Sequence, residues 1–300
     1  MRLVLAYTHL YPSYLGGLLR RAARRLGINV TTVGPRGGQW IHGTPEEPGW
    51  EPDIQVLAQQ RLEDIIEVTP DTILINVDQG DGFYLVAPPG VPCAWVCTEG
   101  NPGEYERASL CNAQAVWSCM PRKPAGRMAP GLLHLGFGWD NEHTSLTSID
   151  AHRPIDFTLH GSWSEKRQSF VDALTTDLSR ECGAPLSREV WGKTLQRSKV
   201  TICDHEPGYT SGRIVDAMIS GCLVLALPSA EMDMLAPRGY VQLSGKLNVD
   251  IDPKEVVELV REYRDFEKRK PILERAQRSV MHLSYDDQLL RILGSIGVHT

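Results

Sequence analysis

The chain has no apolar run approaching eighteen residues, so no segment is long enough for a membrane-spanning helix. Nor does it carry excess basic charge: 31 Lys and Arg against 37 Asp and Glu give a net charge of −6. That argues against a protein that coats nucleic acid irrespective of sequence, although local basic patches survive within an acidic total. It shows no internal repeat and no low-complexity tract. It also lacks an even cysteine set, and several of its seven cysteines lie inside apolar runs, which points to buried thiols in a reducing compartment. Cys93, Cys97, Cys111 and Cys119 match the spacing of no common zinc ribbon, and the first two fall in a strand. Residues 1–7 read as an opening strand rather than a signal peptide, and a cytoplasmic location is expected.

What is present is α/β patterning. Three hundred residues with 42% hydrophobic content suit one large or two medium domains. Arg2 to Tyr7 is a strand, and Leu15, Leu18, Leu19, Ala22, Ala23 and Leu26 then recur at helical spacing before the stop signal Gly27. A strand from Val30 completes a βαβ opening, and a Gly- and Pro-rich segment over 35–52 follows. A helix over 54–68 is expected next, then strands at 72–77, 93–97, 115–117 and 132–135. Residues 141–154 carry few large apolar groups and read as a linker. Strands near Phe157, Val190, Val200, Leu223 and Tyr240 build a second sheet, and helices close the chain from Pro253. Alternation of this kind argues for parallel sheets.

The stretch from Lys199 to Pro228, KVTICDHEPGYTSGRIVDAMISGCLVLALP, reads as strand, loop, helix and strand. Glu206, Tyr209 and Thr210 cannot continue the strand, and Ser211 is placed as the N-cap of a helix beginning at Gly212. The amides at that helix start would face an anion. Arg213 in the first turn opposes the helix dipole and so needs another reason to be there, such as a phosphate. Asp216, three residues on, shares its face, and a carboxylate there suits a ribose diol.

This segment resembles the donor-binding half of GT-B glycosyltransferases of the group 1 type, whose helix reads roughly E-A-M-A-x-G before C-x-V-L. IVDAMISGCLVLALP follows it with Asp216 where the family more often has Glu. DFTLHGS from Asp156, followed by Glu165, Lys166 and Arg167, and the C-terminal run from Asp252, resemble the CgeB-like branch. The resemblance spans roughly residues 70–296 and implies two Rossmann-like domains with parallel sheets facing a central cleft. The expected divisions are 1–140 for the acceptor domain, 141–154 for the linker, 155–282 for the donor domain, and 283–300 for a helix crossing back to the first.

The same resemblance implies an activity, transfer of a sugar from a nucleotide-diphosphate sugar, a UDP-sugar by expectation, to a hydroxyl. For the donor it implies Gly16 and Gly17 after the first strand, Gly161, Ser162 and Arg167 after the DFTLH strand, Trp191 and Lys193, and the set Glu206, Tyr209, Thr210, Ser211, Gly212, Arg213 and Asp216. Glu99 and then Asp78, at strand ends, are the candidate general bases. Each has a bland alternative: turns for the glycines, solvated faces for the charges, packing for Trp191. No cofactor is expected, and no metal, because Arg213, Arg167 and helix N-termini can meet the diphosphate charge. Arg122, Lys123 and Arg127, with Arg20, Arg21, Arg24 and Arg25, are expected to face the acceptor. A compact chain of this kind also resembles phage enzymes that glycosylate hydroxymethylated bases in DNA, so DNA stands beside cell-surface glycans, proteins and small molecules as acceptor. A nucleotide-sugar-binding protein without activity stays open as the alternative of a different class.

Overall fold

The computed structural model describes residues 1–7, 9–10, 15–37, 51–78, 83–98, 102–119, 133–161, 165–174, 177–203, 211–245 and 251–299. The chain divides into two compact units: the described residues up to Gly136 together with those from Tyr285 onward, and Phe137–Ser284.

The first unit contains β1 (Arg2–Tyr7), β2 (His9–Leu10), α1 (Leu15–Arg25), β3 (Asn29–Gly34), β4 (Arg36–Gly37), β5 (Ile54–Gln55), β6 (Gln60–Arg61), β7 (Thr72–Asp78), β8 (Leu85–Val86), β9 (Cys93–Cys97), α2 (Pro102–Leu110), β10 (Ala115–Ser118) and β11 (Leu133–His134). Seven of these strands form one sheet in the order β11-β10-β9-β7-β1-β3-β5, and every pairing is parallel. Buried strands explain their near-continuous apolar content. On one face Val4, Ala6, Leu74, Cys93 and Trp95 pack with Ala108 and Cys111 from around α2. α1 buries Leu15, Leu18, Leu19, Ala22 and Ala23, one turn above the next, and ends where Gly27 adopts φ +69°. Removing each such leucine from water contributes about 1.5 to 3 kcal/mol.

The second unit contains β12 (Ile155–His160), α3 (Glu165–Ala173), β13 (Arg180–Gly183), α4 (Arg188–Arg197), β14 (Ser198–Cys203), α5 (Gly212–Ile219), β15 (Leu223–Ala226), α6 (Ala230–Leu235), β16 (Val241–Gln242), α7 (Pro253–Glu262) and α8 (Phe266–Val280). Its five-stranded sheet runs β13-β12-β14-β15-β16, again wholly parallel. One face packs Phe157, Leu159, Val200 and Leu225 with Val256 and Val260 of α7. The other packs Val224 and Ala226 with Trp191 and Leu195 of α4, α5, and Ala276 of α8. Helices on both faces make each unit a doubly wound sheet. The last helix, α9 (Tyr285–Ser295), belongs to the first unit, where Asp286 takes a bidentate bond from Arg25 of α1 and Ser295 accepts from the Trp117 indole.

Three readings of the sequence need correction. Residues 54–68 are not a helix: they hold β5, β6 and a single 3-10 turn over Leu62–Asp64. Asp53 explains the departure, since its carboxylate accepts from the Thr32 amide at 2.8 Å and hydroxyl at 2.6 Å and delivers Ile54 beside β3. Val190 lies in α4, not in a strand; Ser187 caps that helix, and Trp191 and Leu195 bury at helical spacing. The sheet strand of this region is β13, earlier in the chain. Residues 141–154 pack within the second unit, where Thr144 and Arg153 are buried. Arg153 donates to the carbonyls of Leu195, Gln196, Ser198 and Ser220, so its burial is compensated by hydrogen bonds.

Candidate functional site

Parallel sheets present ligands at the carboxyl ends of their strands, where loops leave and helix N-termini point inward. In the second unit β12 ends at His160, β14 at Cys203 and β15 at Ala226. Gly161 follows β12 with φ +159°, and a Cβ placed there would lie 2.6 Å from Arg213 Nη1 and 2.7 Å from Arg167 Nη1. Any side chain at this position would push both guanidinium ends away. The two guanidinium nitrogens therefore lie within about 5 Å of one another, where like charges repel by about 1 kcal/mol in water and about 3 kcal/mol at an effective dielectric of 20. Arg213 Nη1 also donates to the His160 carbonyl at 3.2 Å. Arg213 stands in the first turn of α5 and Arg167 in the first turn of α3, so two cations from different helices converge beside one strand end. Guanidinium groups at that spacing suit a bidentate fork on an anion.

Beside this nook is a cavity of about 20 Å³ lined by His160, Trp191, Cys203, Ser211 and Arg213 among others. The His160 and Trp191 rings meet edge to face, 6.2 Å between centroids. Trp191 arrives from α4 and is 7% exposed. Lys193, on the same helix, points instead to solvent in an ion pair with Glu189.

Asp216 is placed differently from the ribose contact expected of it. Its side chain has no exposed surface and accepts from Arg188 Nη1 at 2.8 Å and Nη2 at 3.4 Å, with Thr144 Oγ1 at 3.2 Å. Burial pushes its carboxyl above the ordinary range, against the pull of Arg188. A fully enclosed carboxylate holds α4 to α5 and presents nothing to a ligand. Arg188 and Thr144 had no signal of their own in the sequence. The signal lay in Asp216, an acid inside an apolar helix that demands a partner.

In the first unit Gly16 and Gly17 open α1 and are buried, with Gly16 against the Tyr7 ring. β7 ends at Asp78 in register with Cys97, the last residue of β9. Glu99, Ser162, Glu206, Tyr209, Thr210, Arg122, Lys123 and Arg127 lie outside the described residues, as does the Asp78 side chain. Of the four arginines of α1, Arg24 and Arg25 are exposed and the other two are not. Arg20 and Arg21 are buried, Arg20 lies 3.5 Å from Asp53, and Arg25 is held by Asp286. Burial also raises the Tyr7 phenol above its usual range.

Among the described residues one group brings metal-ligating atoms together: Asp140, Glu142 and His143, all within 4.8 Å of one another. The four cysteines of the first unit form no such group. An Asp-x-Asp spacing does occur at Asp250 and Asp252; Asp252 caps α7 by accepting from the Lys254 amide at 2.9 Å, and Asp250 lies outside the described residues.

No protein-family model matches the chain, and no curated protein matches it by sequence. Solved structures do. HepE from Anabaena, crystallised with UDP, superposes with a TM-score of 0.60 at 11% identity over 99% of this chain and 100% of that one. Sucrose-phosphate synthase from Thermosynechococcus elongatus gives 0.57 at 12% identity over 99% and 98%. WaaG, a glycosyltransferase of lipopolysaccharide biosynthesis, gives 0.55 at 9% identity over 97% and 100%. The fold is that of the GT-B glycosyltransferases. At these identities the likeness establishes architecture alone.

Proposed function

We propose that the chain transfers a sugar from a nucleotide-diphosphate sugar, with UDP as the carrier, to a hydroxyl acceptor. The observation that carries this reading is the convergence of Arg167 and Arg213 on Gly161 at the end of β12. Such a pair binds a diphosphate and stabilises the charge that grows on it as the bond to the anomeric carbon breaks. The acceptor oxygen forms the new bond to that carbon, its proton goes to a carboxylate, and the nucleoside diphosphate departs. Glu99 is assigned as that base and Asp78 as second choice; Asp78 ends β7 in register with Cys97, and Glu99 comes two residues after Cys97 in the sequence. With two guanidinium groups on the diphosphate, the reaction is proposed to proceed without a divalent metal.

On the acceptor side Arg122, Lys123 and Arg127 are proposed to meet an anionic substrate, and DNA bearing hydroxymethylated pyrimidines is the case to test. Purified protein is given UDP-sugars together with duplexes carrying hydroxymethylcytosine, hydroxymethyluracil or plain bases, and nucleosides are examined by mass. Addition only to hydroxymethylated bases supports DNA. Transfer to a glycan or small molecule with every duplex untouched removes it. Where DNA binds, replacing the three cations with Ala should reduce the slope of log affinity against log salt by about 0.9 for each phosphate no longer neutralised. Failure to transfer or hydrolyse any bound UDP-sugar would favour the inactive binding protein instead.

A further inference from the structure

Resting on this donor reading, we infer that His160, Trp191 and Ser211 form a niche for a neutral hydrogen-bonding group of the donor beside its diphosphate. Three polar atoms in the second unit, His160 Nε2, Trp191 Nε1 and Ser211 Oγ, are sealed from solvent and have no hydrogen-bond partner among the described residues. His160 is 8% exposed and Trp191 7%. Buried polar atoms without partners are rare, and each costs about 1 to 3 kcal/mol. All three residues line the same cavity of about 20 Å³, which holds one water-sized group such as a hydroxyl or the edge of an amide.

The polarity of the niche follows from its anchors. His160 Nδ1 lies 3.0 Å from the Ala184 carbonyl oxygen, which can only accept, so Nδ1 carries the hydrogen, and in the neutral imidazole Nε2 is then an acceptor. Trp191 Nε1 is a donor and nothing else. Ser211 occupies the N-cap position of α5, yet its hydroxyl makes no capping bond to that helix. The niche thus offers an acceptor, a donor and a hydroxyl. A phosphate oxygen, itself an acceptor, does not satisfy Nε2 of a neutral imidazole. A group that both donates and accepts can, and the donor carries two kinds: the imide edge of a nucleobase and the hydroxyls of its sugars. The niche abuts the phosphate nook directly, since the backbone of His160 accepts from Arg213. The sequence already placed Trp191 and Ser211 among the expected donor-binding residues, with packing as the alternative for Trp191, and marked His160 only by its place at a strand end.

Calorimetric titration of inorganic pyrophosphate, UDP and UDP-glucose into wild type, His160→Asn, His160→Gln and Trp191→Phe tests the assignment. In His160→Asn the amide reaches the Ala184 carbonyl but leaves no acceptor at the position of Nε2, whereas His160→Gln restores one. Trp191→Phe keeps an aromatic ring but removes the indole N–H together with part of the bicycle, so its melting temperature is read beside the titrations to report the packing lost, and unchanged pyrophosphate binding in this variant keeps the test available should the His160 variants melt below the assay temperature. His160→Asn and Trp191→Phe are expected to weaken an organic ligand by about tenfold with pyrophosphate unchanged, and His160→Gln to recover most of the loss. A loss with UDP assigns the niche to the nucleoside; a loss with UDP-glucose alone assigns it to the transferred sugar. Equal losses for pyrophosphate and UDP, or no change for either organic ligand, would overturn the niche. Wild type that binds none of the three would instead overturn the donor reading, and the niche with it.

Discussion

Replacing Gly161 by Ala tests the phosphate nook at its narrowest point. The added methyl would lie 2.6 Å from Arg213 Nη1 and 2.7 Å from Arg167 Nη1, against the 3.4 to 4 Å of ordinary van der Waals separation. Both guanidinium groups end flexible side chains, so they give way and the backbone stays; each must retreat by about 0.7 Å, enough to take a hydrogen bond out of its 2.7–3.2 Å range. A hydrogen bond to a charged group contributes about 1.5 to 3 kcal/mol, so breaking one good bond to the anion lowers affinity by about 10- to 150-fold. The strain at φ +159° adds about 1 to 3 kcal/mol of instability, lowering Tm by about 2 to 4 °C for each kcal/mol in a unit of this size. The expectation is a folded protein, slightly less stable, that binds both pyrophosphate and UDP at least tenfold more weakly by calorimetry. Unchanged pyrophosphate affinity in a variant whose melting has dropped would refute the reasoning, because the methyl would then have displaced groups that hold no anion.

Three further outcomes follow from the same structure. Asp216→Ala leaves the Arg188 charge buried without its carboxylate and should cost about 3 to 5 kcal/mol in urea unfolding, whereas Arg188→Met with Asp216→Leu should recover most of it. Asp156 is buried, which pushes its carboxyl up, but bonds from Arg264, Lys199 and the Ser179 amide outweigh this and hold it below the ordinary range. A depressed folded value means the stabilisation is fully present above the ordinary carboxylate pKa of about 4 and is lost as pH falls through the lowered one. Asp156→Asn should therefore flatten the acid side of the stability curve, and an identical acid limb in the variant would contradict the role. Glu99→Gln, which cannot take a proton, should lower turnover by about 10² to 10⁴ while UDP affinity stays constant; near-normal turnover moves the base to Asp78.

Much of the architecture is written in local pattern. The strand, helix and strand within Lys199 to Ala226 could be read because strand periodicity, a Ser at the N-cap position and a glycine stop agree over one short stretch. The region 54–68 misleads because its outcome is decided by Asp53 reaching Thr32, twenty-one residues back, and no local pattern records that bond. Short apolar runs fail for a related reason: the few residues around Val190 fit a strand or a helix equally until the burial of both Trp191 and Leu195 decides. In the site, Gly161, Arg167 and Arg213 were legible as residue types at strand and helix ends, but their meeting at one point is tertiary. Asp216 shows the opposite case. Its chemistry was plain, yet a partner 28 residues earlier turned an expected ligand group into an internal clasp.

Whether the second unit binds a nucleotide diphosphate, as proposed, is read out by a thermal-shift panel. Wild type and a variant with both Arg167→Ala and Arg213→Ala are melted with nucleoside diphosphates, their sugars, uridine and inorganic pyrophosphate. A ligand at about a hundred times its dissociation constant stabilises the native state by about 2.7 kcal/mol, a shift well above detection. UDP and UDP-sugars should raise the wild-type melting temperature, uridine should do so far less, and the double variant should lose the response while remaining folded. No shift of the wild type by any nucleotide, or an undiminished response in the folded double variant, would contradict it.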